Sequence, residues 1–210
     1  MTTFFIRIPW SLCFAVSIAP LLYCLFQISR VLQGEISRLG VDPAEAIVHY
    51  FGSCALVFLW ITLTLSPLRT LLGYNYVYLR RQLGLFAFFY GVCHLMSYWV
   101  FLLEFDVVGV VDDVIERPYI TVGMLALLLM LPLAVTSNRW SQKKLRLNWK
   151  KLHRLIYPIS ILIIIHFFWQ TRSDFSEPLM YSALLLLLLT YRIVSLTRNK
   201  HKDSLKTLSE

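Results

Sequence analysis

Charge is scarce in this sequence. Asp, Glu, Lys and Arg make up 15% of the 210 residues, against about 25% in an average soluble protein. Hydrophobic residues make up 58%, and the mean hydropathy is +0.64. A soluble globule of this size needs a largely polar surface, so this composition excludes one. It also excludes a disordered chain and a collagen-like fibre, and it predicts an integral membrane protein.

Cysteine is also scarce, and several catalytic motifs are missing. The four cysteines, Cys13, Cys24, Cys54 and Cys93, all fall in apolar stretches and form no C-x-x-C pair. This pattern excludes a disulfide scaffold and a cysteine metal site, and it indicates small apolar core residues. The sequence has no P-loop, no dinucleotide glycine motif, no H-E-x-x-H and no G-x-S-x-G. Hydrolytic and kinase functions therefore have no support.

Long uncharged stretches are what the sequence does have. A helix needs about 20 apolar residues to cross the hydrocarbon core, and six stretches qualify: Arg7 to Arg30, Glu45 to Arg69, Arg81 to Glu104, Arg117 to Arg139, Arg154 to Arg172, and Pro178 to Thr197. The first is too long for a signal-peptide core, and we expect it to be a retained helix. Arg192 interrupts the last stretch close enough to its end to snorkel. The predicted fold is an all-α bundle of six transmembrane helices, with residues 1–210 forming one transmembrane domain.

The charges predict the orientation of these helices. With the N-terminus inside, sixteen of the 20 Lys and Arg residues fall on the inner side, and ten of the 12 Asp and Glu residues fall outside. This positive-inside bias predicts that both termini are cytoplasmic. The basic composition therefore reflects topology and contact with anionic membrane lipids, and it does not indicate nucleic-acid binding.

Two histidines stand out because no charged residue lies near them. His94 and His166 lie in the third and fifth predicted helices, which run in the same direction. Each alone fits a neutral histidine hydrogen-bonded across a helix interface. Together they fit the two axial ligands of a haem iron, an arrangement suited to electron transfer. Gly91, about one turn before His94, would leave room for a flat macrocycle.

Two further histidines, His153 and His49, are weaker candidates, and His201 is not one. His153 lies thirteen residues before His166, which is about 20 Å of helical rise and about 140° of rotation. It fits either a ligand of a second, inner haem or a juxtamembrane residue in a basic cluster, and Pro158 predicts a kink or overwinding between the two. His49 could contact the outer haem or lie at the membrane interface. His201 lies among lysines in the tail, where we expect it to be solvated.

Several short motifs carry a resemblance to a known family. They follow one another in order: Arg80-Arg81-Gln82-Leu83-Gly84-Leu85, His94-Leu95-Met96-Ser97-Tyr98, Glu116-Arg117-Pro118-Tyr119-Ile120-Thr121-Val122-Gly123, Leu133-Ala134-Val135-Thr136-Ser137, and Trp149-Lys150-Lys151-Leu152-His153-Arg154-Leu155-Ile156-Tyr157. The set resembles the MsrQ (YedZ) family, the haem-binding membrane subunits of the bacterial periplasmic methionine-sulfoxide reductase system. The resemblance covers about residues 41–195, which would form a ferric-reductase-like haem bundle, with a short cytoplasmic tail over about 198–210.

The resemblance implies a function and a set of partners. A protein of this kind is a haem b electron-transfer subunit of the bacterial inner membrane, with one haem and a second left open. It takes electrons from the quinone pool or a cytosolic flavin reductase, and it passes them to the periplasmic molybdopterin reductase MsrP. His94, His153 and His166 match the family's haem-associated histidines, His49 also has a counterpart, and FMN is implied by the resemblance alone. No catalytic residue for the final substrate is expected.

Two alternatives stay open on the sequence. One is a ferric or cupric reductase that delivers electrons directly outside. The other is a non-redox transporter or assembly factor whose membrane histidines relay protons.

Overall fold

The structure, a computed structural model, describes residues 8–73, 76–172 and 174–209, with the side chains of 72, 193 and 195–209 set aside. Every regular element in these ranges is helical. The helices are α1 (Trp10–Leu32), α2 (Pro43–Leu72), α3 (Arg80–Phe101), α4 (Val107–Glu116), α5 (Pro118–Val135), α6 (Arg139–Leu145), α7 (Leu147–Leu152), α8 (Ile156–Gln170) and α9 (Ser176–Ser209). Single 3₁₀ turns over Val77–Leu79 and His153–Leu155 lead into α3 and α8.

Five segments of the described chain are long and apolar enough to cross a membrane: Trp10–Leu32, Pro43–Leu71, Val77–Phe101, Pro118–Val135 and Leu147–Gln170. They correspond to the first five predicted helices and confirm an all-helical, multi-pass membrane protein. The sixth predicted stretch lies within α9. Its crossing and the cytoplasmic side of both termini stay predictions, and Arg7 and the His201 side chain lie outside the described residues.

Five long helices form a ring. α2 packs against α3 and α9, α3 against α5, α5 against α8, and α8 against α9. Aromatic side chains fill the interface between α2 and α3, where Phe58 stacks on Phe86 and on Tyr90 with ring centres 5.8 and 5.3 Å apart. The ring places residues of α2, α3, α5 and α8 around one interior, where the candidate histidines lie.

α1 lies outside this ring and is attached through the hydroxyl of Tyr90. The fully buried Tyr90 donates a hydrogen bond to the Ser17 carbonyl (2.6 Å) and accepts one from the Leu21 amide (3.3 Å). Those two backbone groups would otherwise pair with each other across one helical turn. Pro20 lacks an N–H group and loosens the helix here, and Tyr50 donates to its carbonyl at 3.0 Å. A single helix turn is thereby joined to α2 and α3.

Three short helices in the connections were not predicted from the sequence. α4 begins where the Asp106 side chain accepts a hydrogen bond from the Val108 amide. α6 begins in the same way, with the Asn138 side chain accepting from the Ser141 amide at 2.7 Å. Such caps satisfy amides that the first turn of a helix leaves without partners.

The segment between His153 and His166 departs from ideal helix geometry. His153 lies in the 3₁₀ turn, and α8 begins after it with Pro158 in its first turn. The expected overwinding is therefore observed, because Pro158 cannot donate to the carbonyl four residues earlier. The estimate of rotation based on one continuous α-helix does not apply.

Candidate functional site

His94 on α3 and His166 on α8 lie next to each other in the interior of the ring. Their imidazole centres are 6.2 Å apart, and the ring planes are at 78°. Both side chains are partly buried. The tertiary structure thus brings together two residues that are seventy-two positions apart in the sequence.

Each imidazole is held by a backbone carbonyl of a neighbouring helix. Nδ1 of His94 lies 2.9 Å from the Val48 carbonyl oxygen on α2, and Nδ1 of His166 lies 2.6 Å from that of Tyr119 on α5. A carbonyl oxygen only accepts, so each Nδ1 carries the proton and donates it. Each Nε2 therefore keeps a lone pair, and no group in the described part of the chain bonds to it.

A glycine underlies each of these hydrogen bonds. Gly52 lies four residues after Val48, and Gly123 lies four residues after Tyr119. A Cβ at position 52 would lie 3.1 Å from Nδ1 of His94, and one at position 123 would lie 2.7 Å from Nδ1 of His166. Both distances are shorter than an ordinary carbon–nitrogen contact. The missing side chains let each ring approach the carbonyl one turn earlier.

The spacing of the two rings fits a shared iron. Since a metal–imidazole bond is about 2 Å, the 6.2 Å between the ring centres would leave room for His94 and His166 to hold one iron through their Nε2 atoms. The rings can rotate about such bonds, which permits their crossed planes. The described residues contain no cluster of three or more His, Cys, Asp and Glu side chains suited to a bare metal ion. Two neutral imidazoles suit a metal whose other ligands come from a macrocycle.

Gly91 does not have the position expected from the sequence. A Cβ at this residue would lie 3.1 Å from the Leu127 side chain of α5. Gly91 therefore permits close packing of α3 against α5, and the open side of the helix is filled by Leu127. The glycines beside the imidazoles are Gly52 and Gly123.

His49 lies near His94 and His166 but at the rim of the site. Its Nε2 is 3.5 Å from a Glu45 carboxylate oxygen, its Nδ1 accepts from the Gln170 amide at 3.3 Å, and its side chain is 51% exposed. Gln170 ends α8, so His49 and His166 lie at the same end of the bundle, as predicted. With both nitrogens engaged, His49 fits an interfacial residue.

His153 lies at the opposite end, where its ring is fixed from two sides. Its Nε2 is 3.1 Å from the Thr136 hydroxyl oxygen, and the Trp149 ring stacks on it with centres 4.0 Å apart. The Thr136 hydroxyl donates its own proton to the Pro132 carbonyl at 2.6 Å. His153 Nε2 is therefore the donor to Thr136. Among the histidines whose side chains the structure describes, His153 is the one at this end of the bundle.

The two ends of the bundle differ in charge. The acidic end carries residues 35–45, 104–116 and 174–177, and the basic end carries Arg69, Arg80, Arg81, residues 139–154 and Arg192. The candidate haem ligands lie nearer the acidic end, since His166 is four residues from the end of α8. His153 lies at the basic end.

A polar network joins α3, α4 and α5 at the acidic end of the bundle, near His166. The Tyr98 hydroxyl donates to the Asp113 carboxylate, and Asp113 pairs with Arg117 at 2.9 Å. A hydrogen bond with Tyr119 and the neighbouring Asp113 carboxylate raise the pKa of Arg117, so it stays charged. This network holds the start of α5, from which the Tyr119 carbonyl reaches His166.

Some residues of the site were not identified from the sequence. Val48 and Tyr119 act through main-chain carbonyls, so residue type gives no signal for them. Gly123 was part of a motif without an assigned function. Gly52 and Gly123 each lie one turn after the carbonyl that accepts from a histidine. This function of the glycines can be recognised only when the helix that carries the histidine is known.

Comparison with known proteins matches most of this chain. The family described as "Ferric reductase like transmembrane component" matches residues 46–164, a range that includes His49, His94 and His153 and ends two residues before His166. Three similar proteins are each described as "Protein-methionine-sulfoxide reductase heme-binding subunit MsrQ". That of Xanthomonas euvesicatoria pv. vesicatoria (strain 85-10) is 43% identical over 85% of this chain and 83% of its own length. Those of Xanthomonas axonopodis pv. citri (strain 306) and Xanthomonas campestris pv. campestris (strain 8004) are 42% and 43% identical, over the same shares of both chains.

Proposed function

This chain belongs to the MsrQ family of ferric-reductase-like membrane proteins, and we propose that it is the haem b electron-transfer subunit of a methionine-sulfoxide reductase system. The observation that carries the proposal is the His94–His166 pair, with ring centres 6.2 Å apart and both Nδ1 atoms bonded to carbonyls. His94 and His166 would hold the iron through Nε2. When bound, haem supplies reversible one-electron transfer.

The chain's own residues prepare this site before any cofactor binds. The Val48 and Tyr119 carbonyls select the tautomer that leaves Nε2 free. By accepting the Nδ1 proton, they also make each Nε2 a stronger electron-pair donor to a metal. Gly52 lets the His94 ring approach α2 closely, and Gly123 lets the His166 ring approach α5 closely. Aliphatic and aromatic residues of the ring of helices keep water away from the pair.

The positions of the described histidines fit one haem better than two. Nε2 of His153 is engaged by Thr136, and the other histidines with described side chains lie nearer the acidic end. We propose that electrons enter the protein at the basic end. His153 would contribute to this step through its hydrogen bond to Thr136. A second haem ligated by His153 would require it to give up its hydrogen bond to Thr136, and none of the other histidines with described side chains lies near it.

A cleft in the side of the bundle supports a donor that is dissolved in the membrane. It measures about 320 Å³ and is lined by residues of α2 and α9, namely Val57, Trp60, Ile61, Thr64, Leu65, Leu68, Tyr181 and Leu184. Cofactor-sized pockets begin at about 300 Å³. Trp60 is 3% exposed, and its Nε1 has no hydrogen-bond partner among the described residues. A quinol, with an apolar ring and oxygen acceptors, suits such a cleft better than a soluble flavin reductase does.

The position of the histidine pair supports an acceptor on the acidic side. With the predicted orientation, that side is the periplasm of a bacterial inner membrane, and the acceptor is MsrP. FMN, which the resemblance implies, carries a phosphate, and the basic end of the bundle has clustered cations that would attract it.

The test is to purify the full chain and its His94→Ala, His166→Ala and His201→Ala variants, and to measure haem content and spectra. Wild type and His201→Ala should give a Soret band that shifts on reduction by dithionite. The two other variants should lose most of the haem, because water in a dry bundle does not replace an imidazole ligand. Wild-type haem content and an unchanged reduced spectrum in both would remove the pair as ligands.

A second candidate follows from the family description, which names ferric reductases. In that case the reduced protein would be oxidised by Fe(III) chelates faster than by MsrP carrying oxidised molybdenum. A colourless preparation would instead favour the non-redox transporter, in which the histidines relay protons.

A further inference from the structure

A small cavity at the basic end of the bundle is lined by two arginines and two tyrosines. It is enclosed by the ends of α2, α3, α8 and α9, with a volume of about 10 Å³, which is room for about one water molecule. Its polar lining consists of Arg80 on α3, Tyr157 on α8, Tyr191 and Arg192 on α9, and Ser66 on α2. The cavity is separate from the His94–His166 site, which lies nearer the acidic end.

The cationic groups of this cavity have no anionic partner among the side chains with a described position. The Arg192 Nε and the Tyr191 hydroxyl are buried and make no hydrogen bond to any described group. Among the side chains that the structure describes, no carboxylate pairs with Arg80 or Arg192; the ion pairs lie at Arg30, His49 and Arg117. Asp203, the next acidic residue along α9, is eleven positions beyond Arg192.

Such an arrangement is costly if it stays empty. Arg80 and Arg192 are half-buried, and the buried Arg192 Nε has lost its hydration without gaining a hydrogen bond to a described group. Two guanidinium groups around one small cavity also repel each other, and Arg80 acts electrostatically on His153 as well. Arg80 begins α3, and the first turn of that helix contains no acidic residue that would offset its charge.

From these observations we infer that Arg80 and Arg192 form a binding site for one phosphate group, with the Tyr191 hydroxyl as a further donor. A planar guanidinium group can bind two phosphate oxygens through two parallel N–H···O hydrogen bonds. The Arg192 Nε and the Tyr191 hydroxyl are donors without a partner among the described groups. The cavity has room for one oxygen atom, so one phosphate oxygen would enter it while the rest of the group stays at its mouth. The phosphate belongs either to a membrane phospholipid or to a soluble phosphoester. The inference does not depend on haem ligation by His94 and His166, since neither histidine lines the cavity.

The chain offers a matched control for this site. Arg81 is adjacent to Arg80 on the same helix, but its side chain is exposed and does not line the cavity. Arg81→Gln and Arg192→Gln remove the same charge at the same end of the bundle. A general attraction of cations for the membrane surface would be weakened equally by both, whereas a built site would respond only to Arg192→Gln.

The experiment uses the full chain with two probes. In the lipid arm, protein extracted from membranes is examined by native mass spectrometry for retained anionic phospholipid. In the soluble arm, protein in phosphatidylcholine nanodiscs is titrated with FMN and with riboflavin, which lacks the phosphate, and inorganic phosphate is added as competitor. The variants are Arg192→Gln, Arg80→Gln, Tyr191→Phe and Arg81→Gln, each checked for monodispersity and helicity.

We expect Arg192→Gln and Arg80→Gln to weaken phosphate binding about ten-fold, and Tyr191→Phe to weaken it less. Loss of retained phospholipid would identify a lipid as the source. Weaker binding of FMN, with riboflavin unaffected and phosphate competing, would identify a soluble phosphoester. If Arg192→Gln does not fold, Arg80→Gln and Tyr191→Phe carry the test. Equal binding in the cavity variants and Arg81→Gln, in both arms, would overturn the inference.

Discussion

His166 and Gly123 are in such close contact that position 123 has no room for a side chain. A Cβ there would lie 2.7 Å from Nδ1 of His166 and 2.8 Å from Cε1. The ring cannot retreat without lengthening its 2.6 Å hydrogen bond to the Tyr119 carbonyl. Backbone of α5 therefore determines both the position and the tautomer of an imidazole on α8.

The first prediction follows from this contact. Gly123→Ala should push the His166 ring off the Tyr119 carbonyl and lower haem content several-fold. Haem that remains should show altered low-spin signals in electron paramagnetic resonance. The lost hydrogen bond corresponds to about 1 kcal/mol.

Gly84→Ala is the control for this variant, since its Cβ would lie 3.7 Å from a Thr62 methyl group, an ordinary contact. Replacing a helical glycine where there is room stabilises by about 0.4–1 kcal/mol, so Gly84→Ala should keep its haem. Equal haem content and identical spectra in the two variants would show that Gly123 does not position His166.

A second prediction concerns His153 and Thr136 at the basic end. His153→Ala should slow reduction by the donor about ten-fold while leaving the haem bound and reducible by dithionite. Thr136→Val keeps the shape but removes the oxygen that accepts from Nε2 at 3.1 Å, and it should act in the same direction. Stopped-flow absorbance of the Soret band measures both rates.

The control for Thr136→Val is Thr70→Val, an exposed threonine at the same end whose hydroxyl donates to the Ser66 carbonyl. The donor should reduce the haem of Thr70→Val at the wild-type rate. Donor-driven reduction at that rate in His153→Ala as well would exclude a function for this histidine in electron entry.

The third prediction tests the cleft between α2 and α9. Trp60→Phe keeps most of the aromatic volume but removes the buried N–H group that has no partner. If a quinol oxygen accepts from this group, the KM for a soluble quinol analogue should rise about ten-fold. Reduction by a flavin reductase should not change, which separates the two donors.

Trp140→Phe is the comparison, because Trp140 is 68% exposed on α6 and is not among the residues that line the cleft. It should leave the quinol KM unchanged. An unaltered KM in Trp60→Phe would remove Trp60 from the donor site.

The fourth prediction concerns topology. Asp112→Cys, on the exposed side of α4, should react with a membrane-impermeant maleimide in intact spheroplasts, whereas Lys144→Cys and Ser204→Cys should react only after permeabilisation. Wild type gives the background, since its four cysteines lie buried or half-buried in helices. Ser204→Cys reacting from the same side as Asp112→Cys would show that α9 does not cross.

The prediction of membrane helices succeeded because it depended on composition along the chain. Uncharged stretches of about 20 residues cannot be placed in water, and five of the six were found as spans at the predicted positions. The short helices α4, α6 and α7 were not predicted, because their stability depends on local caps such as Asp106 and Asn138 and on packing at the ends of the bundle. His94 and His166 were paired from their isolation in apolar surroundings, since a polar group in hydrocarbon needs a partner. The structure places the two rings 6.2 Å apart, and their ligation of haem iron stays a prediction.

Hydropathy and charge along the chain were enough to establish the membrane class and most of the helices, and to single out the two histidines, because they are sums over residue types. The carbonyl that each imidazole uses, the packing of Gly91 on Leu127, the contact of Gly123 with His166 and the hydrogen bond of His153 to Thr136 became known from the packed helices. These depend on the rotation and depth of each helix against its neighbours. Rotation and depth result from close packing of many side chains at once, and a main-chain carbonyl has the same chemistry in every residue.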